Sequence, residues 1–214
     1  PNTARIKAAT GAPVYAEGPH RASRPRYESE KHNPESGADR DFRPDIEVKH
    51  GDAIEGAGWA LEAVATPGHT ANHLAFAWAE RKINFVGDHV MGWSTSIVAP
   101  PDGSMVDYMA SLETLAARDE DLYFSGHGPE IPDAQRYVRF LTRHRHAREA
   151  SILHRLGKGE ADIPTIVRAV YIGIDPRLTN AAGYSVLAHL EDLVGRGVVA
   201  TEGDPVIGGN YRLV

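Results

Sequence analysis

Apolar and polar positions alternate over Trp59, Leu61 and Ala63, and again over Leu74, Phe76 and Trp78. A strand sends successive side chains to opposite faces, so each run predicts a strand packed on one side. Ile83 to Val86 is apolar except at Asn84 and runs into Gly87-Asp88, the pattern of a buried strand that meets a functional loop. From Asp45 to Val90 the chain therefore reads strand, turn, strand. The period then changes. Met105, Met109, Leu112 and Ala116 share one helical face, and Ser104 with Asp107 three residues on forms a capping box at its start. A further strand, Leu122 to Phe124, leads into Ser125-Gly126-His127-Gly128-Pro129. Strands followed by helices in this order imply a layered α/β domain with its sheet in the middle.

The two ends read differently. The front predicts short strands, with Pro13 to Glu17 a β-prone run between Gly11 and Gly18. Residues 21–44 hold six cations, five acids and only four apolar side chains. Such a segment buries too little surface to offset its ordering entropy, which predicts a mobile surface insertion, with a substrate-gating lid as the alternative. The tail predicts one long helix from Asp133 to Leu156, stopped by Gly157 and Gly159. Asp162 caps a short helix with Pro164 in its first turn, and a third helix carries Val186, Leu190 and Leu193. Two short strands follow, Val198 to Thr201 and Tyr211 to Val214, which completes a winged-helix pattern.

Composition narrows the chemistry. The 214 residues include no cysteine, which excludes a disulfide scaffold, thiolate metal sites and a cysteine nucleophile. With 11 histidines, transition-metal chemistry has to use imidazole and carboxylate ligands. A net charge of −6 and a pI near 6.0 argue against a mainly electrostatic nucleic-acid binder. Residues 151–214 carry six cations and seven acids, so the winged helix is not expected to bind DNA sequence-specifically. It reads instead as a packing module or a dimer contact. The most basic run, Arg136, Arg139, Arg143, Arg145, Arg148 and Arg155, reads as a solvated helix face that anchors the following domain, with a single-stranded RNA edge as the alternative. No apolar run approaches the roughly 18 residues needed to span a bilayer, and no signal-like segment opens the chain, so a cytoplasmic location is expected.

Three motifs place potential ligands in glycine-containing turns just after predicted strands: Thr66-Pro67-Gly68-His69-Thr70, Gly87-Asp88-His89 and Ser125-Gly126-His127-Gly128. Loops at one edge of a sheet can converge while the sheet holds them rigid. His69 and His127 offer imidazole nitrogens, and Asp88 a carboxylate able to bridge two cations, a set that suits zinc or a related metal.

In order and spacing these motifs resemble the third, fourth and fifth metal-binding motifs of the metallo-β-lactamase superfamily. The subgroup they resemble is that of beta-lactamase-like protein 2, in which a winged helix follows the hydrolase, with glyoxalase II as a related branch. The resemblance implies a four-layer αββα sandwich with two zinc ions, His69 on one, His127 on the other and Asp88 between them. It implies a metal-dependent hydrolase that turns a metal-bound hydroxide on an ester-like or phosphodiester substrate, single-stranded RNA among them. A thioester hydrolase and a non-catalytic scaffold are the alternatives, a homodimer is a further option, and no residue is assigned as catalytic acid or base. The expected domains are 1–135 for the hydrolase portion, 136–158 for a connecting helix and 159–214 for the winged helix. The superfamily's His-x-His-x-Asp-His signature is absent, and His20, His32 and His50 are too scattered to replace it. The expectation is that the signature precedes Pro1 in a longer protein, which would make the hydrolase portion N-terminally incomplete.

Overall fold

The computed structural model describes residues 2–30 and 39–214. Its centre is a six-stranded sheet in the order β3 (Ala53–Gly56), β4 (Trp59–Ala65), β5 (Leu74–Trp78), β6 (Ile83–Gly87), β7 (Leu122–Ser125) and β8 (Ile131–Pro132). All neighbours are antiparallel except β6 and β7, which α2 (Met105–Ala116) connects as a parallel pair. The alternation read from sequence sorts the two faces. Val64, Ala75, Ala77, Val86 and Tyr123 point into a core with α2 and α3 (Ala134–Leu156). On the opposite face, Leu61, Ala63, Leu74 and Phe76 pack with Tyr15, Val48 and Ile54, and Phe85 stacks on Phe124 at 5.7 Å.

Ser104 caps α2 as expected, its Oγ accepting from the Asp107 amide at 3.2 Å. The buried face of α2 is shifted, however. Tyr108 and Leu115 are buried with Met105 and Leu112, Met109 is only partly buried, and Ala116 is exposed. The front also differs. Asn2–Thr10 forms α1, an exposed helix with no buried residue, and the strands there shrink to β1 (Tyr15–Ala16), paired parallel with β2 (Ile46–Glu47). A short run of Ala, Arg and Lys favours helix without leaving an apolar stripe to read.

The mobile insertion expected over residues 21–44 is corrected for residues 21–30, while 31–38 lie outside the described residues. Arg24 donates to Glu30 at 2.7 and 2.9 Å and to Glu191 at 3.0 Å, Ser23 N donates to the Pro101 carbonyl at 2.8 Å, and Glu30 is buried. Charge pairing, to which an apolar count is blind, holds this strap against the C-terminal part.

Behind α3, a second core forms from α4 (Ile163–Val170), α5 (Thr179–Gly195) and the antiparallel pair β9 (Val199–Thr201) and β10 (Tyr211–Leu213). Asp162 caps α4 through the Thr165 amide at 2.9 Å. One residue of α5, Ala188, belongs to the first core, while Leu187 and Leu190 belong to the second. The basic run on α3 divides. Arg148 donates to the Val170 carbonyl at 2.7 Å and lies 3.9 Å from the Tyr171 ring, and Arg155 pairs with Glu160 at 3.2 Å. Arg145 is buried rather than solvated, whereas Arg136, Arg139 and Arg143 are exposed and form no ion pair among the described residues. Among the described residues no helix is long and apolar enough to cross a membrane.

Candidate metal centre

Strand directions decide where the three motifs meet. Because β4 and β6 both run antiparallel to β5, they run parallel to each other, and β7 runs parallel to β6. All three strands therefore end at the same edge of the sheet, and each continues into one motif. The β6–β7 register places Gly87 opposite Ser125, which sets Asp88 beside the turn that carries His127. Two glycines make the approach possible. A Cβ at Gly126 would overlap Asp88 Oδ1, and one at Gly68 (φ 131°) would overlap the Tyr108 backbone at the start of α2.

Asp88 is the shared point. His127 Nε2 lies 3.5 Å from Asp88 Oδ2, and His69 Nε2 lies 4.0 Å from the same oxygen. The His69 ring is aimed from behind: its Nδ1 donates to the Ile97 carbonyl at 2.6 Å. A carbonyl can only accept, so Nδ1 carries a proton, and in the neutral ring this leaves the Nε2 lone pair facing Asp88. Two ligands about 2.1 Å from one tetrahedral ion stand about 3.4 Å apart, close to the His127–Asp88 separation. The donor types and their spacing fit a carboxylate that serves two cations with one imidazole on each side. They complete neither coordination shell. Among the described residues no group of three or more His, Cys, Asp or Glu side chains converges on one ion position.

Beneath these groups lie two histidines to which the sequence reading assigned no role, His73 and the His89 of the second motif. His73 is half-buried with its Nδ1 2.8 Å from Thr66 Oγ1, and desolvation first, then the nearby His69, lowers its pKa to about 4. His89 is fully buried against the Tyr108 ring at 4.5 Å, and burial followed by its His73 neighbour lowers its pKa well below the usual imidazole value. Both floor the site as neutral rings. The spacing of His73 four residues after His69 was the only sequence signal for it. Of the scattered histidines, His32 lies outside the described residues, His20 Nε2 meets Asp102 at 3.3 Å, and His50 Nδ1 accepts from the Ala65 amide at 3.2 Å.

Comparison with known proteins agrees with this arrangement at the level of the family. Residues 2–127 match the Metallo-beta-lactamase superfamily, and residues 163–209 match the Beta-lactamase associated winged helix domain. A beta-lactamase-like protein 2 homolog of Drosophila melanogaster is 29% identical over 153 residues, covering 70% of this chain and 51% of that protein. Its counterpart in Caenorhabditis elegans is 33% identical over 108 residues, covering 50% of this chain and 35% of that one. The crystal structure of a metallo-beta-lactamase family protein from Thermus thermophilus superposes with a TM-score of 0.68 at 25% identity, over 89% of this chain and 60% of that one. The chain thus spans about half or less of the length of these curated relatives.

Proposed function

The chain belongs to the metallo-beta-lactamase superfamily, and on that premise we propose that His69, Asp88 and His127 contribute to a dinuclear metal centre, zinc by preference, that hydrolyses an ester-like or phosphodiester substrate. The observation that carries the reading is the approach of both Nε2 atoms to the single oxygen Asp88 Oδ2. Metal ions held there would supply an activated water and neutralise charge on a leaving oxygen. The chain's own residues would hold and aim: Asp88 would offer its carboxylate to both ions, His69 and His127 would each present one nitrogen, and the Ile97 carbonyl holds the His69 Nδ1 proton away from the site.

Single-stranded RNA is the favoured substrate within this proposal. Arg136, Arg139 and Arg143 project from α3 beside the exposed Phe140 with no ion pair among the described residues, and Trp93, 67% exposed, packs against Gly128 next to His127. Cations that follow phosphates and rings on which bases stack are the usual equipment for a single strand. Duplex DNA is disfavoured because α5, the helix that would enter a groove, is buried between two cores. A small thioester remains the competing substrate. The proposed division into hydrolase portion (1–135), connecting helix (136–158) and winged helix (159–214) and a cytoplasmic location complete the reading.

A second reading, a binding or scaffold role, has one observation in its favour: no three ligands converge on one ion among the described residues. Elemental analysis with H69A, D88N and H127A variants separates the two. Metal that is bound by the unaltered chain and lost in each variant supports the centre; no metal in any of them supports the scaffold. Turnover of labelled single-stranded RNA but not of S-lactoylglutathione supports the phosphodiester, and the reverse supports the thioester.

A further inference from the structure

We propose that Arg145 is a positioning residue for the candidate metal centre: from the connecting helix it fixes the loop that carries Asp88 at one end and aims His69 at the other. The inference rests on the metal-centre reading above.

The loop runs from Asp88 to Ile97, and both ends matter. Asp88 is the shared ligand position, and the Ile97 carbonyl receives the His69 Nδ1 proton. Ser96 closes the loop on itself, its Oγ within hydrogen-bonding distance of the Asp88 carbonyl at 2.6 Å and the His89 carbonyl at 2.8 Å. Arg145 Nη2 donates to the carbonyl of the same Ser96, which orients the peptide leading directly into Ile97. Two tyrosines assist from the same side. Tyr108 OH donates to the His89 carbonyl at 3.1 Å, and Tyr137 OH to the Met91 carbonyl at 2.7 Å. Tyr137, Leu141 and Arg145 follow one another at four-residue steps, so a single face of α3 reaches this loop.

The setting of Arg145 says that packing alone does not account for it. The side chain is 2% exposed, its Nε has no partner, and it forms no ion pair among the described residues. Its guanidinium lies 4.8 Å from the Tyr108 ring. A buried cation without a counter-charge is costly, and an apolar side chain of equal length would fill the space more cheaply. An anionic ligand as the missing partner is disfavoured, because the adjoining cavity of about 360 Å³ is also lined by Glu113, Glu149 and Asp192. What the guanidinium does accomplish is to hold one carbonyl in the loop that sets the two ligand positions.

The test has one readout that needs no metal and one that uses Co(II) as the probe. In the metal-free chain, 15N NMR of the His69 ring reports which nitrogen carries the proton. The unaltered chain is expected to show the Nδ1–H form, the R145M chain a mixture, and the R145K chain a value between them. Co(II) affinity is expected to fall about tenfold or more in R145M and less in R145K, the scale on which groups behind metal ligands act. An R177M chain, which loses an exposed arginine paired with Asp175 in the C-terminal part, is expected to match the unaltered chain in both readouts. If R145M fails to fold, R145K carries the test: identity with the unaltered chain in both readouts overturns the proposal. An R145M chain that keeps the His69 tautomer and full Co(II) affinity overturns it as well. If the unaltered chain takes up no Co(II) while R145M still loses the tautomer, the metal reading falls and the positioning of His69 stands.

Discussion

His189 offers a direct test of the electrostatics at the junction of the two cores. It lies on α5, 1% exposed, and neither ring nitrogen has a partner among the described residues. Burial first, and then the surrounding Arg145, Arg148 and Arg196, lowers its pKa from 6.5 to about 3. The folded chain therefore keeps a neutral ring through mild acid, whereas the unfolded chain takes up a proton below about 6.5. Because the unfolded state binds the extra proton, stability falls as pH drops below that value, and this group's share stops growing only near 3. Between pH 8 and pH 5 the linkage comes to about 2 kcal/mol. His189→Met removes the titrating ring at similar volume. Urea unfolding of both chains at pH 8 and pH 5 measures the difference, and the acid loss should shrink by about 2 kcal/mol in the variant. At pH 8 the variant should be at least as stable, because two unsatisfied nitrogens leave the core. His73 and His89, with pKa values also lowered by burial, account for acid sensitivity that persists. Parallel pH profiles for the two chains would refute the assignment.

Three further substitutions test particular contacts. Arg118→Met leaves the buried Glu120 without the guanidinium that pairs with it at 2.8 Å, and thermal or urea unfolding should show a loss of about 3 kcal/mol. The same change releases Glu62, whose carboxyl Arg118 holds below the usual range, so the variant should lose less stability than the unaltered chain as pH falls below about 4.5. Ser104→Ala removes the cap of α2 and should cost about 1 kcal/mol by the same measurement. Gly126→Ala drives a Cβ into Asp88 Oδ1 and should weaken Co(II) uptake about tenfold with far-ultraviolet circular dichroism unchanged.

Much of the fold could be read because each element announced itself locally. The alternation at Leu74, Phe76 and Trp78 matched β5, and the Ser104 and Asp162 caps matched the starts of α2 and α4. What escaped were features decided by tertiary partners. Residues 21–30 looked too polar to be held, yet Arg24 reaches Glu191, a residue 167 positions away that no local pattern connects to it. Tyr108 is a core residue of α2 because it faces His89 and Arg145, not because of its place on the expected stripe. The same divide runs through the site. Strand-then-glycine punctuation pointed to His69, Asp88 and His127, and all three end at one sheet edge. The groups that aim them, the Ile97 carbonyl, Ser96 and Arg145, carry no spacing signal because two are backbone contacts and the third lies on a distant helix.

That helix also explains why the winged helix belongs to the same physical unit as the site. On α3, Tyr137 and Arg145 hold the loop between Asp88 and Ile97, while Arg148 and Arg155 hold the Val170 carbonyl and Glu160 of the C-terminal part. The two sets begin within one turn of each other, at Arg145 and Arg148. A helix is stiff over that distance, so a shift of the winged helix moves the register of the arginine that fixes Ser96. From the other side α5 contributes Ala188 to the first core and Leu187 to the second, and Glu191 receives Arg24 of the strap. Three separate attachments thus tie the C-terminal part to the N-terminal part, and the helix that bears the first of them also carries Arg145, two hydrogen bonds away from the candidate ligand His69. The packing module read from charge counting is for this reason better described as part of the frame that holds the loop from Asp88 to Ile97.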